Sequence, residues 1–190
     1  MSQGKSDSLI VAIVGSARIP ESDPRWQAAF TLGQQIADQG WTVMTGGYDG
    51  LMAAASRGAF SRKGNSIGLP MRNWEKLTPD SSISEIRWST SYPERISHLL
   101  DSNFLIAMDG GMGTLAELTL TWSMAQTEKN SPQIIIYGKS IKALIDSFEQ
   151  HLMINKSDLE IPIFIDDVDA LIAYIKEHQF DEKSIPNPFG

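Results

Sequence analysis

The chain has 190 residues, and its 16 lysines and arginines against 23 aspartates and glutamates give a formal net charge of −7. That length favours one domain, and 42% apolar with 21% charged residues is a globular composition that excludes a disordered chain. The acidic balance excludes the diffuse positive field with which proteins bind nucleic-acid polymers or anionic membranes, so a bound phosphate must be held locally. Cysteine is absent, which excludes disulfides, thiolate catalysis and cysteine metal sites.

Residues 1–8 are polar, and we expect them to form a flexible N-terminus. The apolar run that follows, residues 9–14, is too short for a signal peptide. No stretch of the chain reaches the roughly 18 to 20 apolar residues that span a bilayer. We therefore expect a cytoplasmic protein with no membrane partner.

Short apolar runs, each closed by glycine or proline, predict strands that are buried on both faces of a parallel sheet. These runs cover residues 9–14, 41–45, 65–69, 104–108 and 133–137. Segments with helical spacing lie between and after them, at residues 28–37, 50–62, 92–102, 113–126, 141–151 and 168–178. The alternation predicts a Rossmann-like, doubly wound α/β fold with a parallel sheet flanked by helices, as a single domain over residues 9–180.

Two segments depart from this alternation. Residues 71–91 show no regular spacing, and we expect a loop or a short strand there. Residues 181–190 contain two prolines and are expected to form a tail on the surface or across a partner. Gly138-Lys139-Ser140 imitates the end of a phosphate-binding P-loop, but Gln133 stands where that motif needs glycine, so we interpret it as an ordinary turn.

Glycine or small residues follow the strands that end at positions 14, 45 and 108, and ligands of open parallel sheets bind beyond such strand ends. Helices are predicted to begin near residues 50 and 113, so unpaired N–H groups and the positive ends of helix dipoles would face one crevice. The pattern indicates a phosphate site, although a glycine pair can also serve only a tight turn. The first turn lacks the G-x-G-x-x-G spacing and no acidic residue ends the second strand, so NAD or FAD is not expected.

Residues 109–117, Asp-Gly-Gly-Met-Gly-Thr-Leu-Ala-Glu, resemble the P-G-G-x-G-T-x-x-E signature of the LOG family, the cytokinin riboside 5′-monophosphate phosphoribohydrolases. Residues 46–52 resemble that family's G-G-x-x-G-L-M turn, and residues 93–95 resemble the segment that carries its catalytic arginine. The resemblance runs in one order over residues 9–137. Two features depart from the family pattern: Asp109 replaces the signature proline, and the glycine turn after the second strand is one residue shorter than in typical phosphoribohydrolases. Both features also occur in the wider LOG-like group, which includes molybdenum-cofactor carrier proteins.

The resemblance implies hydrolysis of the N-glycosidic bond of a nucleoside 5′-monophosphate, AMP or an N6-substituted AMP, to free base and ribose 5-phosphate. Arg95 and Glu117 would be the catalytic groups, with Glu94 orienting Arg95, and no cofactor is implied. The residues expected to contact the phosphate or nucleotide are Gly15, Ser16, Arg18, Gly46, Gly47, Gly50, Gly110, Gly111, Met112, Gly113 and Thr114. A homodimer or higher homo-oligomer is also implied, with Trp122 and Met124 near its contact. The alternative function is a non-catalytic carrier of a nucleotide or of the molybdenum cofactor.

Several of these residues also have a purely structural interpretation. Glu117 lies four residues after Gly113, which predicts a place in the first turn of the helix, and its spacing from Thr114 also fits a capping box. Arg95 alone would be a solvated helix residue. Asp109 is expected to cap its own glycine turn or to alter ligand choice. The three histidines, His98, His151 and His178, are scattered without a second ligand nearby, so no metal site is expected.

Overall fold

The structure, a computed structural model, describes residues 8–179 except 75 and 129. The expected flexible N-terminus over residues 1–8, apart from Ser8, and the expected tail at 181–190 lie outside the described residues. The strands are β1 Ile10–Val14, β2 Thr42–Thr45, β3 Ser66–Gly68, β4 Glu85–Ile86, β5 Phe104–Met108, β6 Gln133–Tyr137 and β7 Ile163–Phe164. The helices are α1 Pro24–Asp38, α2 Leu51–Ser61, α3 Tyr92–Leu100, α4 Met112–Ala125, α5 Lys139–His151, α6 Lys156–Leu159 and α7 Val168–His178.

All seven strands pair in parallel, in the order β4-β3-β2-β1-β5-β6-β7. The chain winds outward from β1 to β4 and then returns to place β5 on the other side of β1, so the strand order reverses between β1 and β5. This is the predicted doubly wound, Rossmann-like fold, and the five apolar runs supply its central strands. Of the two-residue edge strands, β4 lies within residues 71–91, where a loop or short strand is expected. The other, β7, lies in the short apolar run 161–165, which Pro162 interrupts, and is not predicted.

Alternation along the central strands builds one core layer on each face of the sheet. Val11 and Ile13 of β1 point to the face covered by α1, α2 and α7, whereas Ala12 and Val14 point to the face covered by α3, α4 and α5. Burial on both faces explains why these strands read as continuous apolar runs. The layers fix the carboxyl ends of β1, β2 and β5 side by side.

Helix ends follow signals that the sequence contains. Asp23 caps α1 by accepting a hydrogen bond from the Arg25 backbone N–H, and Gly40, at φ +75°, follows its end. The expected turn at Gly138 is confirmed, because β6 ends at Tyr137 and α5 begins at Lys139. No helix in the described part of the chain has both the length and the apolar composition that a membrane crossing requires.

Trp122 lies inside the subunit. Its indole N–H donates a hydrogen bond to the Asp158 carbonyl at 2.7 Å, and its ring stacks on Phe148 at a centroid distance of 6.1 Å. The ring is therefore packed within the subunit. The expectation that Trp122 and Met124 lie near a dimer contact stays a prediction.

Candidate functional site

The loops that follow β1, β2 and β5 meet where the strand order reverses. Ser16, in the loop after β1, donates its backbone N–H to the Asp109 carbonyl at 3.0 Å, and its own carbonyl accepts from the Leu51 N–H at 2.9 Å. One residue thus joins the end of β5 to the start of α2. The three glycine-rich strand ends predicted to border one crevice are neighbours in the folded chain.

A buried ion pair lies at the base of this crevice. Nε and Nη2 of Arg95, on α3, both donate to Oε1 of Glu117, on α4, at 3.1 Å, and the two residues are only 4% and 7% exposed. Nη1 of Arg95 donates to the carbonyls of Gly46 and Leu69. The guanidinium is therefore fixed by three parts of the chain, which excludes the interpretation of Arg95 as a solvated helix residue.

The Glu117 carboxylate has one occupied and one open oxygen. Oε1 accepts both bonds from Arg95, whereas none of the described residues donates a hydrogen bond to Oε2. Burial raises the pKa of Glu117, and the charge and hydrogen bonds of Arg95 oppose that rise.

The prediction that Glu117 lies in the first turn is wrong, because α4 begins at Met112 with Gly111 as its N-cap. The carboxylate binds Arg95 rather than closing a capping box.

The turn that opens α4 is exposed and uncapped. Gly111 provides no side-chain cap, and Met112 is 79% exposed. A methyl group added at Gly111 or Gly113 would meet nothing within 4 Å, and neither residue has a positive φ. Gly110 is different, because a side chain there would collide with the buried Thr114. Neither packing nor backbone conformation therefore requires glycine at 111 or 113, and contact of this turn with a ligand stays a prediction.

The glycines after β2 have reasons within the protein. Gly46 is buried against Arg95, and a side chain there would collide with the guanidinium. Gly47 and Gly50 have φ values of +87° and +68°, which favour glycine. Gly50 also lies against the Ser16 carbonyl. This turn thus positions Arg95 and the first loop, and its contact with a phosphate stays a prediction.

The loop after β1 is packed at its start and open further along. Gly15 lies against Leu51 and Met108, and the hydroxyl of Ser16 accepts a hydrogen bond from the Arg18 N–H at 3.1 Å. The Arg18 side chain is exposed and lines a cavity of about 260 Å³ beside the start of α2. Ligand binding by Ser16 and Arg18 stays a prediction.

Asp109, where the signature has proline, caps α5 and not its own glycine turn. Its Oδ1 accepts from the Ser140 and Ile141 N–H groups at 3.1 and 3.2 Å, and its Oδ2 lies 3.6 Å from Nη1 of Arg25. The prediction that it caps its own glycine turn is therefore wrong. The carboxylate instead closes the N-terminus of α5, which follows the neighbouring strand β6.

Glu94 also has another role than expected. Its Oε2 accepts from the Thr90 N–H and hydroxyl at 2.6 and 2.7 Å, while Ser91 caps α3 by accepting from the Glu94 N–H. Glu94 thus belongs to the start of α3, and the expectation that it orients Arg95 is wrong.

Trp74 and Leu69 complete the surroundings of Arg95, and sequence reasoning missed both in this role. The Trp74 ring lies 5.6 Å from Cζ of Arg95, and Leu69 contributes its carbonyl. Trp74 lies in the irregular stretch 71–91, where no periodicity indicates which side chains face the crevice. A backbone carbonyl such as that of Leu69 leaves no signal in the sequence.

The sequence model of the SLOG cluster4 family matches residues 8–158. Cytokinin riboside 5′-monophosphate phosphoribohydrolase from Mycobacterium marinum (strain ATCC BAA-535 / M) is 25% identical over 161 residues, which cover 80% of this chain and 86% of that protein. Probable cytokinin riboside 5′-monophosphate phosphoribohydrolase LOGL5 from Oryza sativa subsp. japonica is 30% identical over 127 residues, which cover 63% of this chain and 52% of that protein.

Solved structures share the fold. The molybdenum cofactor binding protein from Rippkaea orientalis superposes with a TM-score of 0.73 at 22% identity, over 91% of this chain and 98% of that chain. The molybdenum cofactor carrier protein from Chlamydomonas reinhardtii gives a TM-score of 0.69, also at 22% identity, over 92% and 99% of the two chains. At these identities, the likeness establishes a common architecture.

Proposed function

Because the chain belongs to the SLOG cluster4 family, within the wider LOG-like superfamily, we propose that it hydrolyses the N-glycosidic bond of a nucleoside 5′-monophosphate. The substrates are AMP or N6-substituted AMP, and the products are the free base and ribose 5-phosphate. The observation that carries the proposal is the buried Arg95–Glu117 pair with Oε2 of Glu117 left open, on the helix that the exposed glycine turn begins. Distant relationship to named phosphoribohydrolases supports the same reaction.

The N-terminus of α4 binds the 5′-phosphate in this proposal. Backbone N–H groups from Gly111 to Thr114, together with the Thr114 hydroxyl, offer donors at the positive end of the helix dipole. Open space at Gly111 and Gly113 lets phosphate oxygens approach the backbone. An acidic protein thereby holds an anion without a basic surface patch.

Glu117 acts on the sugar. It lies five residues after Met112 in the same helix, and at about 1.5 Å of rise per residue this is roughly 7 to 8 Å from the phosphate site, comparable with the length of a ribose 5-phosphate. Oε2 accepts a hydrogen bond from a ribose hydroxyl or the attacking water, and the carboxylate stabilises the positive charge that develops on the sugar. Arg95 favours the ionised form of Glu117 against the effect of burial.

The bond changes balance without a cofactor. The C1′–N bond breaks and its electron pair leaves with the base, while the oxygen of water forms a bond to C1′. One proton of that water goes to the departing base. Catalysis therefore requires a held phosphate, a positioned water and a negative charge beside the sugar, and the site residues can provide all three.

The proposal is tested by incubating the purified protein with AMP and several N6-substituted AMP derivatives and measuring free base and ribose 5-phosphate. Adenosine is the matched control, because it lacks the phosphate and is expected to be cleaved far more slowly. Release of base from none of the nucleotides by protein with a normal circular dichroism spectrum would contradict the proposal.

One observation favours a second candidate, a carrier that binds a nucleotide or the molybdenum cofactor without turnover. Arg95 already donates four of its five N–H groups to Glu117, Gly46 and Leu69, which suits a structural ion pair. Mass spectrometry of ligand that co-purifies with the protein separates the two functions. A tightly bound, chemically intact ligand together with no base release supports the carrier.

A further inference from the structure

Trp74 lies beside the Arg95–Glu117 pair, in the loop between β3 and β4. Its ring centroid is 5.6 Å from Cζ of the buried Arg95 and 5.6 Å from the ring of Tyr48, with 32° between the two ring planes. The indole therefore contacts the guanidinium that holds Glu117 in place. Trp74 thus lies next to the ion pair that the proposed function places beside the sugar.

The loop that carries Trp74 is fixed near both of its ends. At its start, the hydroxyl of the buried Tyr48 accepts a hydrogen bond from the Met71 N–H at 2.9 Å. Further along, the Asp80 N–H donates to the Gly47 carbonyl at 3.0 Å, and the Asp80 carboxylate pairs with Arg57 of α2 at 3.0 Å. These contacts attach the loop to the β2–α2 turn and so hold Trp74 beside Arg95.

The Trp74 indole is left 37% exposed, and among the described residues none accepts a hydrogen bond from its N–H. It also lines a cavity of about 320 Å³ together with Asn73, Lys76 and Leu77. An exposed, anchored indole offers a flat surface on which a planar heterocycle can stack. The Asn73 amide, with both donor and acceptor groups, suits the edge of such a heterocycle.

We propose that Trp74 is a specificity-determining residue that stacks against the heterocyclic base of the ligand, with Asn73 beside the edge of the base. This inference rests on the proposed function for its ligand class, a purine nucleoside 5′-monophosphate. In this arrangement the loop after β3 recognises the base, the start of α4 holds the phosphate, and the Arg95–Glu117 pair lies beside the sugar.

Trp88 supplies a matched control. It is exposed to nearly the same extent, 38%, and its ring also lies near a guanidinium, with Cζ of Arg72 at 5.4 Å from the ring centroid. It makes no ring contact with Arg95 in the described part of the chain. Removing either indole thus removes similar exposed aromatic surface, but only Trp74 borders the ion pair.

The experiment measures the binding of AMP and of ribose 5-phosphate by calorimetry for the wild-type protein and for W74L, W74F and W88L. We expect W74L to weaken AMP about ten-fold, the loss of one stacked base, and to leave ribose 5-phosphate within about two-fold. W74F keeps an aromatic face and is expected to retain most of the AMP affinity, and W88L is expected to bind both ligands normally. Thermal melting checks that each variant is folded.

Three outcomes overturn the inference. The first is unchanged AMP binding by W74L, and the second is no AMP binding by the wild-type protein. The third is an equal loss of AMP and ribose 5-phosphate, because Trp74 would then act only by holding Arg95. The proposed function fails separately: if the wild-type protein binds AMP without releasing base, and W74L still loses AMP selectively, then stacking on Trp74 stands and hydrolysis does not.

Discussion

Glu117 is a buried residue, 7% exposed, whose Oε1 accepts both hydrogen bonds from Arg95 while none of the described residues donates to its Oε2. Removing the side chain from water costs free energy that the Arg95 contacts only partly return, which is why burial raises its pKa. Ionisable groups with pKa values perturbed in this way cluster at functional sites. Substitution of Glu117 is therefore the most direct test of the proposed chemistry.

We expect E117Q to lower the rate of base release by about 100-fold or more while AMP still binds, because glutamine keeps the shape of the side chain but not its charge. Steady-state kinetics and calorimetry separate the two effects. E94Q, which changes a half-buried carboxylate that accepts hydrogen bonds from Thr90 at the start of α3, is the matched control and is expected to retain activity. Equal rates for E117Q and the wild-type protein would remove Glu117 from the mechanism.

The pH dependence of the wild-type reaction follows from the same carboxyl. The carboxylate is the working form, and the pKa of Glu117 is raised above its ordinary value of 4.5. We therefore expect kcat/KM to fall as the pH is lowered through that raised pKa, at a higher pH than an unperturbed glutamate would give. The measurement is a profile from about pH 4 to about pH 8. A profile that stays flat down to the ordinary pKa would contradict this assignment.

Gly113 offers a test in which stability and binding change in opposite directions. It lies within α4 with open space around it, so G113A is expected to stabilise the fold by about 0.5 to 1 kcal/mol, the difference in helix propensity. The added methyl group would occupy the approach to the backbone and weaken ribose 5-phosphate binding. Thermal unfolding and calorimetry measure the two effects, and tighter or unchanged binding would place the phosphate elsewhere.

At the scale of the elements, helices differ in the origin of their caps. Asp23, Ser91 and Asp167 cap the helices that begin immediately after them, as local sequence signals predict. The start of α5 is instead satisfied by Asp109, 31 residues earlier in the chain. One side chain thereby joins the end of β5, next to the glycine turn, to a helix that follows the adjacent strand.

We expect D109A to destabilise the protein by about 1 kcal/mol, because the Ser140 and Ile141 N–H groups lose their acceptor. D109N keeps an oxygen in place and is expected to lose less than half of that. Urea unfolding at neutral pH gives the comparison. If both variants unfolded at the wild-type midpoint, Asp109 would contribute nothing as a cap.

For the whole molecule, the close contact between α1 and α2 sets how one layer of helices packs on the sheet. A side chain at Gly33 would collide with the Ala55 carbonyl, and one at Gly58 with the Phe30 carbonyl. Both obstacles are backbone atoms, which cannot turn aside as a side chain can. The two helices can therefore lie this close only with glycine at these positions.

G33A is consequently expected to destabilise the fold by about 1 to 3 kcal/mol, the cost of overpacking. G113A is the comparison, since it also replaces a helical glycine by alanine, but near the start of a helix and with open space around it. Urea unfolding of the two variants should give changes of opposite sign. A stabilising effect of G33A would mean that the helices can separate without cost.

The sequence by itself determined the central strands, the alternation with helices, the single Rossmann-like domain and the glycine-rich strand ends, because each of these leaves a local pattern of apolar spacing or glycine. The net charge of −7 likewise implied local capture of any phosphate. The edge strand β7 was missed because its apolar run is short and interrupted by Pro162, whereas β4 lies in the stretch 71–91, where a loop or short strand was expected. Arg95 and Glu117 were identified through resemblance rather than through spacing.

Only the tertiary structure decided which groups meet. Arg95 and Glu117 pair across 22 positions, Asp109 caps a helix 31 positions later, and Trp74 lies against Arg95 from an irregular loop. These contacts depend on the strand order β2-β1-β5, which brings three distant loops to one edge of the sheet. Side chains far apart in the chain acquire their partners only when that order is fixed, so no local pattern encodes them.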